Sequence, residues 1–272
     1  MEHNHALSVV HPDTVLGKDV TISPFVTIEE DVVIGEGTWI GPHVSIMSGT
    51  RIGKNCRIFP GAIIGAVPQD LKYRGEYATV EIGDQVTIRE YCTLNKGTEA
   101  SDKTVIGDRS LLMAYVHVAH DCQVGKNVIL ANNVNLAGHI VVEDFAVLGG
   151  LTAVHQFVKI GTHAMVGGGS LVRKDVPPYV KAAREPLSFA GVNSIGLRRR
   201  GFTNEQVHAI QEIYRILFVR GYNTSQALTL IESTIPASIE RDNILQFIQN
   251  ADRGIMRGFR QINGVKAHGD IA

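Results

Sequence analysis

From Val10 onward, an aliphatic residue occupies nearly every sixth position of this chain. The series runs Val10, Leu16, Ile22, Ile28, Ile34, Ile40, Ile46, Ile52, Ile58 and Ile64, and returns in phase at Ile82. Of 28 slots between positions 10 and 172, 25 hold Val, Ile or Leu; the exceptions are Asp70, Glu76 and Ala100. A period of six matches neither the 3.6 of a helix nor the 2 of a simple strand. It matches a solenoid of short flat strands, three to a triangular coil, each turning one aliphatic side chain inward. The 27 intervals imply about nine coils, and roughly 4.8 Å per stacked strand gives a prism about 43 Å long.

A second column, four residues after the first, holds small or β-branched residues such as Val20, Val26, Val32, Thr38 and Val44. Cys56, Cys92 and Cys122 all fall in it, so the three cysteines are expected to be reduced core filler. Glycine often follows the aliphatic slot, as at Gly17, Gly35, Gly53, Gly107 and Gly125, where a turn wants a residue without Cβ. The rhythm fails over Val67–Val80 and Asn95–Val105, which are expected to leave the prism as loops. Loops on a rigid scaffold are where function tends to sit.

The repeat stops at Pro177-Pro178. Thr203-x-x-Gln206 reads as a capping box, and Val207, Ile210, Ile213, Tyr214, Leu217 and Phe218 mark one apolar helix face. Further helices are expected near Ser225–Thr234 and Asp242–Met256, and a frayed tail from about Gly264. The division is therefore a β-helix domain over 1–190 and an α-helical domain over 191–272, the latter packing on the prism or capping its end.

Charge is balanced, 26 basic residues against 27 acidic, which gives no support to a nucleic-acid or anionic-membrane partner. No stretch approaches the roughly 20 apolar residues of a membrane span, and the N-terminus lacks a signal-peptide pattern. The expected compartment is the cytoplasm.

Histidines carry the chemistry. An 18-residue coil step stacks His120 beneath Gly138-His139, and those beneath Gln156, next to His155. With His117 on the same coil as His120, one exterior ridge presents all of them. Such a ridge could bind zinc or act as a general base. His120 adjoins Asp121, a carboxylate able to orient an imidazole, and Gly138 offers a backbone N–H to a developing oxyanion. The Arg198-Arg199-Arg200 run could clamp a phosphate or be a solvated basic turn.

Seven segments together carry a family likeness: Pro68-Gln69-Asp70-Leu71-Lys72-Tyr73, His117-Val118-Ala119-His120-Asp121-Cys122, Leu130-Ala131-Asn132-Asn133, Leu136-Ala137-Gly138-His139, Thr152-Ala153-Val154-His155-Gln156-Phe157, Asp175-Val176-Pro177-Pro178-Tyr179 and Arg199-Arg200-Gly201-Phe202. They closely resemble the acyl-carrier-protein–UDP-N-acetylglucosamine O-acyltransferases, which perform the first step of lipid A synthesis. The resemblance covers essentially the whole chain. It implies an all-β left-handed parallel β-helix followed by a small α-helical domain. It also implies transfer of an (R)-3-hydroxyacyl group from acyl carrier protein to the 3-hydroxyl of UDP-N-acetylglucosamine. No metal is implied, and no cofactor beyond the carrier's phosphopantetheine arm. The enzyme would be a homotrimer with active sites between subunits.

Residue by residue, the resemblance makes His120 the general base, Asp121 its support and Gly138 the oxyanion donor. Asp70 would hold glucosamine hydroxyls, and Lys72 would lie beside the acyl and pantetheine path. His117 and His139 would position substrates; His155, Gln156, Asn193, Arg199 and Arg200 would engage the nucleotide and diphosphate. Gly168 matches the family's acyl-length ruler, a glycine there favouring fourteen carbons or more. The chain departs from the family pattern at Pro68, where Asn is common, at Ile195, where Glu is familiar, and at Pro186, where some members have His. Three rivals remain: N-acylation of a 3-amino analogue of the sugar at the same site, a metal-dependent hexapeptide carbonic anhydrase, and a scaffold without activity. The anhydrases carry His-x4-His, whereas here the spacing is His117-x2-His120.

Overall fold

Strands of two to four residues, from Val9–Val10 to Leu171–Val172, form three parallel sheets in a computed structural model that describes residues 6–258. The expected tail from Gly264 lies outside those residues. Successive strands visit the three sheets in turn, so the chain winds as a left-handed parallel β-helix of triangular section. Face 1 contains Val9–Val10 and His117–Val118, face 2 contains Val15–Leu16 and Gln123–Val124, and face 3 contains Thr21–Ile22 and Ile129–Leu130. In Thr21–Ile22, and likewise along the series, the first residue faces out and the aliphatic one is buried. Among the described residues face 1 has nine strands, hence eight gaps and a prism nearer about 38 Å than 43 Å. The shortfall arises because the three failed slots contribute no strand.

Most coils take 18 residues, as Gln123 pairing with Val141 shows. Arg51 pairs with Glu81 and Glu81 with Val105, steps of 30 and 24. The loops 67–78 and 96–102 thus add twelve and six residues, and the six-residue phase survives because both additions are multiples of six. Cys56, Cys92 and Cys122 are fully buried, and burial pushes the thiols of Cys92 and Cys122 up to about 12.

Most corners carry one left-handed residue, three places after the aliphatic slot: Asp19, Phe25 and Asp31 early on, Asp121, His139 and Phe157 later. That conformation costs a non-glycine residue roughly 1–2 kcal/mol. It is offset by a hydrogen bond to the coil before, as from the His139 N–H to the His120 carbonyl and the Phe157 N–H to the Gly138 carbonyl. The glycines directly after the slot serve another purpose. A Cβ on Gly107 would lie 2.5 Å from the carbonyl carbon of Gly125, and one on Gly35 equally close to that of Gly53. Close approach of stacked coils at the corner between faces 2 and 3 requires them, while the special turn conformation falls two residues later.

Face 3 continues through Val180–Ala183 and the antiparallel Ser188–Val192, then Arg257–Gly258. Among the described residues four helices follow the hairpin: α1 (Ser194–Arg199), α2 (Asn204–Phe218), α3 (Thr224–Thr234) and α4 (Ile239–Gln249). The Thr203–Gln206 capping box forms as expected, and Asn223–Gln226 makes a second. The last helix starts three residues earlier than expected and does not reach Met256. Residues 250–256 instead close over the final coil, where the Met256 N–H donates to the Asp175 carbonyl and Lys174 Nζ to that of Arg253. Tyr214 of α2, wholly buried, donates to the Pro178 carbonyl at 2.6 Å and so ties the helices to the prism.

Replacing Gly107 by Ala is expected to cost about 1–3 kcal/mol of unfolding free energy in urea titration. An unchanged midpoint would show that the coils do not need this close approach.

Candidate active site

The corner between faces 1 and 2 stacks one left-handed residue on the next, with Asp121, His139 and Phe157 on successive coils. The rings of His139 and Phe157 lie parallel, 4.5 Å apart, and His120 meets His139 edge-on at 5.0 Å. Gly138 sits directly over the His120 ring, and a Cβ there would fall 2.5 Å from Cε1. Only glycine lets the imidazole occupy this place.

His120 Nδ1 lies 2.8 Å from Asp121 Oδ2. Burial opposes ionisation of Asp121, but it is outweighed by bonds from the Ser101 hydroxyl, the Thr98 N–H, His120 and the Thr98 hydroxyl, which hold the carboxyl down at about 2. Asp121 is therefore an anion at neutral pH and can only accept. The proton of neutral His120 must then sit on Nδ1, leaving the Nε2 lone pair free. Nε2 points towards the loop 67–78, with Asp70 Oδ2 at 4.0 Å. This is the arrangement of a general base with its orienting carboxylate.

Burial favours the neutral form of both neighbouring histidines. Burial lowers the pKa of His117, whose Nδ1 is 2.8 Å from Thr93 Oγ1, and a proton on nearby His120 would lower it further. Burial likewise lowers His139, against the pull of Asp121 at 3.7 Å. Loop 67–78 closes the other side: the Lys72 N–H donates to Asp70 Oδ1, and the Tyr73 N–H to the Asp70 carbonyl. A cavity of about 310 Å³ between the loops is lined by Asp70, Lys72, Tyr73, Glu76, Thr98, Glu99, Ala100 and His139.

Asp70, Lys72, His117, His120, Asp121, Gly138 and His139 thus come together. His155 and Gln156 stand exposed on the coil beyond, His155 bonding through Nδ1 to the Gln156 carbonyl. Asn193, Arg199 and Arg200 lie elsewhere, in a cavity of about 790 Å³ against face 3 floored by Ile129, Val147 and Met165. Its wall includes Phe145 and His163 of the corner between faces 2 and 3, with Arg200 stacked 4.4 Å over Phe145. Burial first and the Arg200 charge second push His163 down to about 4. Arg198 turns away to Asn204. Ile195 lines this cavity, whereas Pro186 shares a pocket of about 90 Å³ with Leu171 at the end of face 1. Gly168 stands at the corner between faces 3 and 1, against the Gly150 carbonyl. Sequence reading missed Thr98, Ser101, Thr93 and His163; the only signal for the first two was the broken rhythm around Ala100.

A prism of stacked six-residue turns with a histidine–carboxylate pair on one corner defines a hexapeptide-repeat transferase. The six-repeat bacterial transferase hexapeptide model matches residues 31–66 and 103–138, and the model for domain 2 of UDP-N-acetylglucosamine O-acyltransferase matches 175–256. An acyl-[acyl-carrier-protein]–UDP-N-acetylglucosamine O-acyltransferase of Thiobacillus denitrificans is 49% identical over 254 residues, 93% of this chain and 98% of its own. The crystal structure of a UDP-N-acetylglucosamine acyltransferase from Bacteroides fragilis superposes with a TM-score of 0.92 at 47% identity, covering 93% of this chain and 99% of that one. The corresponding Acinetobacter baumannii structure gives 0.91 at 41%, covering 94% and 100%. The chain belongs to the acyl-[acyl-carrier-protein]–UDP-N-acetylglucosamine O-acyltransferase family.

Gly138→Ala is expected to displace the His120 ring and lower acyl transfer roughly 100-fold, the scale of a misplacement of about 1 Å. Full activity with an unchanged circular-dichroism spectrum would contradict this packing.

Proposed function

We propose that this chain transfers an (R)-3-hydroxyacyl group from acyl carrier protein to the 3-hydroxyl of UDP-N-acetylglucosamine, the first step of lipid A synthesis. The observation that carries the reading is the His120 imidazole, anchored through Nδ1 to an ionised Asp121 with Nε2 free beside the cavity. Nε2 takes the proton of the sugar hydroxyl as its oxygen attacks the thioester carbonyl. The new C–O bond forms, the C–S bond breaks, and the imidazolium returns the proton to the departing phosphopantetheine thiol. Gly138 supplies the oxyanion N–H. Support comes from that N–H, which finds no acceptor among the described residues although Gly138 is buried. Asp70 would hold the glucosamine hydroxyls, Lys72 would flank the pantetheine, and His117 and His139 would shape the walls.

The cavity of Asn193, Arg199 and Arg200 and the His120 corner lie on opposite edges of face 2. A homotrimer with sites between subunits would bring the arginine cavity of one chain against the histidine corner of the next, where His155 and Gln156 are exposed to meet the nucleotide. The outward residues of face 1 above His117 are Asn135, Ala153 and Leu171, a track of uncharged side chains along which an acyl chain would lie. Gly168 borders it as the ruler, and the pocket with Pro186 would receive the chain end.

His120, Asp121 and His139 also offer three ligand atoms within 4.8 Å of one another. The Asp121 oxygens already accept from Thr98, Ser101 and His120, which fits a hydrogen-bonded base pair better than a metal centre. The reaction proposed needs no metal and no resident cofactor. Among the described residues no helix is long and apolar enough to cross a membrane, and the cytoplasm, where acyl carrier protein is charged, is the compartment proposed.

His120→Ala is expected to lose about 10²–10⁴-fold in turnover while the trimer persists in sedimentation. Near-normal turnover would sink the mechanism, and activity that vanishes on chelation and returns with zinc would favour the metal reading. Incubation with both sugar nucleotides and a ladder of acyl carrier proteins, read by mass, separates O- from N-acylation. In that assay Gly168→Met should shift products towards shorter chains; an unchanged profile removes the ruler.

A further inference from the structure

Four donors converge on the two oxygens of Asp121. Oδ1 accepts from the Thr98 N–H at 3.0 Å and the Ser101 hydroxyl at 2.6 Å. Oδ2 accepts from the Thr98 hydroxyl at 2.7 Å and from His120 Nδ1 at 2.8 Å. A carboxylate has about four lone-pair directions, so all are in use. His139 Nδ1, 3.7 Å from Oδ2, is left without one. Two imidazoles stand next to one carboxylate, and the donors on its far side decide which of them it holds.

Those donors come from loop 96–102, which is itself fastened. The Asp102 N–H donates to the Thr98 carbonyl, and the Gly97 N–H to that of Thr79. Glu76 of the other loop accepts from the Glu99 N–H with one oxygen and from the Arg74 N–H with the other. Both loops therefore meet around the acid–base pair, and neither Thr98 nor Ser101 reaches the free Nε2 of His120.

We propose that Thr98 and Ser101 are positioning residues for the transfer reaction, locking the Asp121 carboxylate in the rotation that serves His120 and denies His139. This rests on the reading of His120 as the base. With either hydroxyl removed, the carboxylate is free to turn towards His139, and the His120 ring loses its anchor. With the carboxylate turned away, the His120 imidazolium loses the hydrogen bond that stabilises it. The charged and titratable groups around Asp121 are His120 and His139 on its own corner, His117 from face 1, Asp70 and Lys72 from loop 67–78, Glu99 from loop 96–102 and the un-ionised thiol of Cys122.

Steady-state kinetics on the full-length enzyme test the inference. Ser101→Ala is expected to lower kcat about 10-fold and Thr98→Val with Ser101→Ala about 100-fold, the scale of a misplaced catalytic group. KM for the sugar nucleotide should stay within about twofold, the acid limb of kcat/KM should move to lower pH, and Ser101→Thr should restore the rate. In an Asp121→Ala background, Ser101→Ala should cost nothing further, because its effect runs through that carboxylate. Losses that multiply in that background would overturn the inference in favour of a general structural role. So would wild-type kcat and pH profile in the double variant while His120→Ala is inactive. An active His120→Ala enzyme would instead remove the underlying assignment of the base.

Discussion

Hydrogen bonding between consecutive coils is the interaction on which everything else depends. Each strand of two residues is too short to persist alone. Stacked in register, its N–H and carbonyl groups meet the coil before and the coil after, and the aliphatic slot closes a continuous core. The same bonds hold one residue at most corners in the left-handed conformation, including Asp121 and His139. The proposed site residues thus occupy positions that the backbone ladder fixes, and the candidate site is built on a rigid column.

What the sequence discloses follows from that periodicity. An 18-residue step is enough to put Gly138 above His120 and His139 above Asp121, and the structure shows both. The same arithmetic identifies the cysteine column. It fails wherever structure is not periodic. Thr98 and Ser101 lie in a loop whose path no repeat dictates, so their bonds to Asp121 are invisible in the text. The end of α4 is likewise set by contacts of residues 250–256 with Asp175 rather than by helix propensity. The reason for Gly107 is a close approach between coils, which only three dimensions reveal.

Separation of functions across the prism is the other lesson. Acid–base groups gather at the corner between faces 1 and 2, and the arginine cavity lies beside the corner between faces 2 and 3. One chain cannot fold these edges together, because the prism is rigid. An assembly of parallel prisms reconciles them without any conformational change, which gives a physical reason for the trimer proposed.

Within the histidine corner, the decisive feature is the direction of a single proton. An ionised Asp121 beside Nδ1 requires the tautomer that leaves Nε2 unprotonated, which the proposed role of His120 as the base demands. Nitrogen-15 NMR of the histidine side chains, with His120 assigned by comparison with its alanine variant, measures that directly. The ionised Asp121 requires a protonated Nδ1 and an unprotonated Nε2 in the neutral ring. A neutral His120 carrying its proton on Nε2 would contradict it.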